Sequence, residues 1–224
     1  MNIVDVWTKK IRKNGNIIMK QGYFISFEGG DGSGKSTQIK LLKEYLEEKG
    51  YNVILTREPG GTEIGEKIRH IILDPENKEM DSMTEAMLYA ASRAQHVAQV
   101  IKPAVDNGDI VICDRFVDSS IAYQGYGRGL GDSISIINCY AVNGYMPNFT
   151  FLLKLKPQAG SKRIEGREQD RIELEAVDFH QKVYEGYEEL EKNYPDRIVG
   201  IDATGTIEEI RSEIVEHIDK LLGQ

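Results

Sequence analysis

The chain has 224 residues, and 40% of them are hydrophobic, a length and composition typical of one domain with a full buried core. Its formal net charge of −8 argues against the broad basic surface that nucleic-acid binding requires, so we expect small anionic ligands and no nucleic-acid partner. Cys113 and Cys139 form no CxxC pair and no metal-ligand pattern, which gives no support to a disulfide framework or a zinc site and fits a reducing cytoplasm.

The N-terminal segment shows no regular hydrophobic period. Its first residues are partly basic without a following hydrophobic stretch, and no run approaches the roughly 18 hydrophobic residues of a membrane span, so we expect no membrane partner. Because Met19 stands directly before the first convincing strand, we interpret residues 1–18 as a disordered or non-native extension. Residues 19–224 are then the folded domain.

Short hydrophobic runs alternate along the chain with helical periods. The predicted strands are 23–27, 53–55, 110–113, 149–155 and 198–201. The predicted helices lie at about 39–46, 64–72, 83–105 with an interruption at Pro103, 134–140, 177–190 and 207–221. Such alternation predicts an α/β fold, a doubly wound three-layer sandwich around a five-stranded parallel sheet, with ligands at the carboxyl ends of the strands.

One segment of the domain has neither a helical nor a strand period. It runs over about 157–171, is polar, and contains Arg163, Arg167 and Arg171. We expect it to form a mobile lid.

The glycine-rich segment after the first strand matches the pattern G-x-x-x-x-G-K-[ST] and precedes a helix, as a phosphate-binding loop requires. Backbone N–H groups of such a loop surround a phosphate, and the helix N-terminus adds its positive end. We predict that Lys35 reaches the β- and γ-phosphates and that the Ser36 hydroxyl is a ligand for Mg²⁺. The predicted ATP-binding residues are Gly29, Gly30, Asp31, Gly32, Ser33, Gly34, Lys35, Ser36 and Thr37.

Charged residues stand at the ends of two further strands. Asp114 and Arg115 follow the third strand, where Asp114 can orient Mg²⁺ through water and Arg115 can bind a phosphoryl oxygen; a structural Asp–Arg pair is the alternative. Arg57 follows the second strand, before a rigid Pro-Gly-Gly turn. Two strand-end arginines beside one phosphate loop predict a second phosphate pocket for an acceptor. A GTPase is disfavoured, because no guanine-specificity motif is present.

The motifs FEGGDGSGKST, TREPGGT, MLYAASRAQH, CDRFVDSSIAYQGYGRG and EQDRIE occur in that order, and with them the chain resembles the bacterial thymidylate kinase family from about residue 23 onward. The resemblance implies a P-loop kinase fold, phosphoryl transfer from ATP to dTMP with Mg²⁺, and a homodimer. It also implies that Arg57 and Arg115 hold the dTMP phosphate and that Asp31 accepts a hydrogen bond from the sugar 3′-OH.

The same resemblance implies the remaining roles in the acceptor pocket. Tyr89 would stack on thymine, where the family usually has phenylalanine, and Arg93 would donate to the base O4. Gln124 would face the pyrimidine edge with help from Ser120, and the Tyr123 ring would fill the space of a ribose 2′-OH. The dTMP-binding set is therefore Asp31, Arg57, Tyr89, Arg93, Arg115, Ser120, Tyr123 and Gln124.

The resemblance also implies that the catalytic positive charge comes from the lid. Gly32 occupies the loop position where some family members carry a catalytic arginine, so a lid arginine is implied, and of the three we favour Arg167. The implied catalytic set is Lys35, Asp114, Arg115 and Arg167, with Ser36 and Asp114 at the metal. Lys154 departs from the family pattern, which often has aspartate there.

Two alternatives stay open. The acceptor could be another nucleoside monophosphate such as dUMP, since one methyl group is worth little in a hydrophobic pocket. The chain could also bind nucleotide without turnover, with Lys154 and the lid reflecting lost catalysis.

Overall fold

A computed structural model describes residues 22–166 and 168–223. The expected extension at 1–18 and the favoured lid residue Arg167 therefore lie outside the described residues. The described strands are β1 (Tyr23–Glu28), β2 (Val53–Arg57), β3 (Ile110–Asp114), β4 (Phe149–Lys154) and β5 (Ile198–Asp202). They form one all-parallel sheet in the order β2-β3-β1-β4-β5, which confirms the predicted fold class.

Helices cover both faces of this sheet. They are α1 (Lys35–Glu48), α2 (Glu63–Leu73), α3 (Ser82–His96), α4 (Lys102–Asn107), α5 (Val117–Ser120), α6 (Ser133–Val142), α7 (Pro157–Arg163), α8 (Val177–Asn193) and α9 (Ile207–Leu222), with π-helical turns at Val97–Ile101 and Ile121–Gly127. Within the described residues, none of them is both long and hydrophobic enough to cross a membrane.

Alternation along β1 divides the core between the two faces. Ile25 and Phe27 pack with residues of α1 and α9 on one face, whereas Phe24 points to the other face and packs with the π turn after α3 and with α6. A third hydrophobic cluster joins β4 and β5 to α8. Since successive side chains of a strand point to opposite faces, a five-stranded sheet buried on both sides is the expected result.

The helix predicted at 83–105 consists of three successive helical elements in the structure. Instead of a break at Pro103, α3 widens into the π turn Val97–Ile101 and continues as α4, whose first turn contains the proline. Proline lacks the N–H for an α-helical bond and its ring crowds the carbonyl four residues earlier, a conflict that wider π turns relieve without ending the helix.

The first part of the predicted lid is more regular than expected. Pro157 begins helix α7, because its fixed φ suits the first helical turn. This helix lies directly on the phosphate loop: a Cβ placed on Gly160 would sit 2.3 Å from the Asp31 carbonyl oxygen. The expectation of an irregular segment was thus wrong for residues 157–163.

Candidate active site

The phosphate loop connects β1 to α1 in a backbone conformation that its glycines permit. Gly29 has φ +129°, and a Cβ there would lie 2.4 Å from the carbonyl oxygen of Leu153 in β4. Gly34 has φ +95° and caps the N-terminus of α1. Any other residue would be strained at both positions, so the glycines let the loop pass close to β4 and enter the helix.

Lys35, the first residue of α1, folds back into the loop. Its Nζ donates to the carbonyl oxygens of Gly29 and Gly30, both at 3.0 Å. Burial and, next, repulsion by Arg115 lower the pKa of Lys35 to about 8. Near neutral pH the ammonium is therefore largely protonated, but it loses its proton at a lower pH than an exposed lysine.

Ser36 and Asp114 bring two oxygen groups together beside the loop. The Ser36 hydroxyl donates to Asp114 Oδ2 at 3.4 Å. Within the described residues, no cluster of three or more His, Cys, Asp or Glu side chains could hold a metal alone. A hydroxyl with one carboxylate nevertheless fits Mg²⁺ at a nucleotide, because this ion keeps several waters and takes its other ligands from phosphates.

Arg115 points into the cleft from a strained backbone position. Its φ is +67°, a conformation unfavourable for a residue with a Cβ, and hydrogen bonds on both sides maintain it. The Arg115 N–H donates to Phe27 O at 2.9 Å, and the Phe116 N–H donates to Glu28 Oε1 at 2.7 Å. Arg115 Nη2 pairs with Asp31 Oδ1 at 2.7 Å, so the alternative of a structural Asp114–Arg115 pair is not what forms.

Glu28 is a buried residue of this site that belongs to the motif FEGGDGSGKST but for which the sequence predicted no role. Besides Phe116 it contacts Ser119, whose Oγ donates to Oε2 at 2.5 Å, and Tyr187, whose hydroxyl donates at 2.9 Å. Burial and the charge of Asp118 raise the pKa of Glu28 to about 7. Its oxygens fix the turn from which Arg115 projects. Its place directly before the glycines was the available signal.

Arg57, predicted to bind the acceptor phosphate, lies at the mouth of the cleft. Its side chain is 55% exposed and pairs with Glu66 Oε2 at 3.0 Å, while Glu66 Oε1 accepts from the Gly61 N–H at 2.9 Å. Arg69 of α2 also lines the cleft and donates to Pro59 O at 2.8 Å. Burial and the nearby charge of Arg57 lower the pKa of Arg69. Arg69 was not predicted, because an arginine on a helix carries no motif.

One cleft of ≈ 550 Å³ brings most of the predicted site together. Its walls include Asp31, Gly32, Gly34, Lys35, Ser36, Thr37, Arg57, Tyr89, Arg93, Asp114, Arg115, Ser120, Tyr123 and Gln124. Gly29 and Gly30 instead line a smaller neighbouring cavity of ≈ 120 Å³. Ser33 is buried, and its hydroxyl has no hydrogen-bond partner among the described residues.

Arg93 reaches the cleft from the protein interior, with only 1% of the residue exposed. Its Nε donates to Glu58 Oε2 at 2.7 Å and its Nη2 donates to Phe116 O at 3.0 Å. Its Nη1 donates to Ser120 Oγ at 2.9 Å and also to Asn138 Oδ1. The guanidinium is thus rigidly held, and a base oxygen would have to share donors with these groups.

The remaining pocket residues come from α3 and the π turn Ile121–Gly127. Tyr89 is half-buried, and burial followed by the charge of Glu85 raises the pKa of its hydroxyl. The Tyr123 ring lies under the Arg115 guanidinium at 5.1 Å. Gln124 is buried at the cleft wall, and its Nε2 donates to Glu85 Oε1 at 2.9 Å.

The two described lid arginines differ in their surroundings. Arg163 donates to the carbonyl oxygens of Gly32 and Ala203, both at 3.2 Å, and lines the cleft above the phosphate loop. Arg171 is buried, with Nε on Ile72 O at 2.7 Å and Nη2 on Glu85 at 2.6 Å. Arg171 therefore anchors the lid to α2 and α3.

Known proteins resemble this chain over nearly its whole length. The profile of the thymidylate kinase family matches residues 27–214. The chain belongs to the thymidylate kinase family. A thymidylate kinase of Exiguobacterium is 52% identical over 205 residues, covering 91% of this chain and 97% of the relative. That of Clostridium novyi is 50% identical over 200 residues, covering 88% and 98%.

A solved structure agrees with this family assignment. The crystal structure of thymidylate kinase from Ehrlichia chaffeensis superposes with a TM-score of 0.73 at 35% identity, covering 88% of this chain and 99% of that one. The resemblance inferred from the motifs is thereby confirmed.

Lys154, the departure from the family pattern, pairs with Glu191 Oε2 at 2.7 Å, so its charge is compensated by α8.

Proposed function

We propose that the chain transfers the γ-phosphoryl group of ATP to dTMP, giving ADP and dTDP. One observation carries the proposal: a phosphate loop and two strand-end arginines, Arg57 and Arg115, line the same cleft. A nucleotide-binding module without turnover has no use for the second phosphate pocket. Membership of the thymidylate kinase family supports thymidine as the nucleoside of the acceptor.

In the proposed reaction, a dTMP phosphate oxygen attacks the γ-phosphorus in line with the leaving ADP oxygen. Lys35 and the loop amides hold the ATP phosphates, and Arg115 neutralises charge on the transferring group and the acceptor. The Arg115–Asp31 pair orients that guanidinium in advance. Mg²⁺ would be held by Ser36 and, through water, by Asp114, and it supplies positive charge at the β- and γ-phosphate oxygens.

The acceptor base is proposed to bind between Tyr89, Arg93 and Gln124. An aromatic ring face from Tyr89 suits stacking on a pyrimidine, and the Arg93 donors suit an oxygen at position 4. Tyr123 and Ser120 complete the wall of this pocket. Asp31, at the loop, is proposed to accept a hydrogen bond from the sugar 3′-OH.

A lid arginine completes the site. We retain Arg167 as the catalytic residue of the lid, because Arg171 is committed to Glu85. Arg163 contacts the Gly32 carbonyl and is the second candidate. Separate Arg163→Met and Arg167→Met variants decide between them, since only the loss of the catalytic one should lower kcat by orders of magnitude.

We further propose a homodimer in the cytoplasm. Helices α3 and α6 pack together and expose hydrophobic side chains, of which Met87 is 56%, Ile136 51% and Tyr140 83% exposed. Such a patch on neighbouring helices is typical of a subunit interface. A Tyr140→Glu variant should sediment as a monomer if this face forms the dimer. Cys113 and Cys139 are both free thiols, which fits a reducing compartment.

The test of the proposed reaction is release of ADP from Mg·ATP with dTMP, dUMP, dCMP, dGMP or no acceptor. A strong preference for dTMP supports the proposal. Preference for another monophosphate keeps the phosphate chemistry but overturns the acceptor. Turnover that is absent or independent of acceptor favours a nucleotide-binding module or an ATPase.

A further inference from the structure

Glu85 is a fully buried carboxylate behind the acceptor pocket. It lies in the first turn of α3 and receives hydrogen bonds from three other parts of the chain. Arg128 Nη2 donates to Oε2 at 2.9 Å and Arg171 Nη2 donates to the same oxygen at 2.6 Å. Gln124 Nε2 donates to Oε1 at 2.9 Å. The proposed chemistry of phosphoryl transfer uses none of these Glu85 contacts.

The carboxylate is ionised at neutral pH. Burial alone would raise the pKa of Glu85, but hydrogen bonds from Arg128 and Gln124, together with the positive charges beside it, lower the pKa overall. An ionised carboxylate only accepts hydrogen bonds. Any polar group that contacts Glu85 Oε1 must therefore donate a hydrogen bond to it.

This requirement fixes the side-chain amide of Gln124. A free amide can rotate by half a turn and exchange its donor for its acceptor at little cost. Beside Glu85 that exchange would place two acceptor oxygens in contact, at a buried position where an unpaired polar group is costly. The nitrogen of Gln124 consequently faces Glu85, and its oxygen is the polar atom left for a ligand in the cleft.

We propose that Glu85 is a positioning residue for nucleobase specificity, which holds the Gln124 amide so that its oxygen accepts a hydrogen bond from the base. The proposal rests on the proposed function, because it places the pyrimidine edge against Gln124. Thymine and uracil carry a hydrogen on N3 and satisfy this oxygen. Cytosine has an unprotonated N3 and meets it with a second acceptor. Glu85 thereby rejects cytosine without touching the base.

The experiment compares kcat/KM for dTMP and dCMP in four proteins: wild type, Glu85→Gln, Glu85→Asp and Arg128→Gln. Glutamine at 85 offers both donor and acceptor, so the Gln124 amide can turn over. The Glu85→Asp variant keeps the negative charge that pairs with Arg128 and Arg171, but its side chain is too short to contact Gln124. It replaces Glu85→Gln in the comparison if that variant does not fold. The control Arg128→Gln removes an ion pair of Glu85, including the Arg128 Nε that donates to Oε1 at 3.2 Å, and leaves Gln124 Nε2 as a donor to that oxygen.

We expect the dTMP/dCMP ratio of kcat/KM to fall at least about tenfold in both Glu85 variants and to stay within about twofold of wild type in the control. An equal loss of activity toward both substrates, with the ratio unchanged, overturns the proposal and leaves Glu85 a structural residue. A ratio that falls equally in Arg128→Gln also overturns it, because loss of packing would then be the cause. In both of these outcomes wild type still prefers dTMP, and the proposed function stands; if wild type uses neither nucleotide, both fail together.

Discussion

Arg115 Nη2 lies 2.7 Å from Asp31 Oδ1, and this ion pair joins the end of β3 to the phosphate loop. Both side chains are partly exposed to the cleft, at 17% and 27%. Burial alone would raise the pKa of Asp31, but the charges of Arg115 and Lys35 lower it overall, so the carboxylate stays ionised beside the arginine. In the proposed reaction, the pair aims one guanidinium at the point where the donor and acceptor phosphates meet.

An Arg115→Met variant should therefore lose kcat/KM for dTMP by about 10²–10³-fold, because a preorganised charge is removed from the transferring group. Asp31→Asn should lose less, about tenfold, since the arginine remains but is less well oriented. The measurement is steady-state kinetics of ADP release. Arg211→Met, which changes an arginine of α9 outside the cleft, serves as the control. Near-normal turnover in Arg115→Met would contradict the role proposed for this residue.

The lowered pKa of Lys35 predicts a loss of ATP affinity in mildly alkaline solution. The ammonium is protonated below pH of about 8 and loses its charge above it. Binding a polyphosphate favours the charged form, so the Kd for ATP should rise by up to about tenfold per pH unit above that point. Calorimetric titration with ATP from pH of roughly 6.5 to roughly 9.5, a range that brackets this ionisation, measures the Kd.

The matched variant for this prediction is Lys35→Arg. Arginine stays protonated throughout that range, so its Kd for ATP should be independent of pH even if the affinity itself is weaker. The quantity to compare between the two proteins is the change of Kd with pH, and not the Kd itself. A wild-type Kd that does not change up to the top of the range would show that Lys35 keeps its proton.

Replacement of Arg93 should strongly lower the stability of the fold. Arg93 neutralises Glu58, and both side chains are almost completely buried, at 1% and 2% exposed. Arg93→Met leaves a buried carboxylate without this partner and should cost about 3–5 kcal/mol in the free energy of unfolding. Lys67→Met, which breaks an exposed pair with Glu63, should cost no more than about 1 kcal/mol. Urea titrations of both variants test the contrast, and equal small losses would contradict it.

The parts of the fold that the sequence predicts are those with local causes. The phosphate loop depends on glycines, a strand and a helix that are contiguous, and the sheet depends on hydrophobic runs that each fill one strand. The missed contacts join distant segments: Glu28 and Ser119 are 91 residues apart, and Glu85 and Arg171 are 86 apart. No local period or motif encodes such pairs. Helix α5 was also missed as an element, because four residues are too few to show a period.

The contact between lid helix and phosphate loop yields the last prediction. Gly160 of α7 faces Asp31, and an added Cβ would lie 2.3 Å from the Asp31 carbonyl oxygen; a Cβ on Gly32 would lie 2.5 Å from the Gly160 oxygen. Backbone cannot yield as a flexible side chain can, so Gly160→Ala must displace α7 from the loop. Displacement by an ångström of elements that position reacting groups costs up to about 10²-fold in rate.

We expect Gly160→Ala to lower kcat by about tenfold or more while the fold persists, since α7 packs at the edge of the core. Gln158→Ala, an exposed change on the same helix, is the matched control and should leave kcat within about twofold, because alanine is also the better helix former. Kinetics with saturating ATP and dTMP, alongside thermal unfolding, separate the two effects. If kcat of Gly160→Ala equals that of the control, the close contact between α7 and the phosphate loop is not required for phosphoryl transfer. The lid arginines would then have to reach the phosphates without this contact.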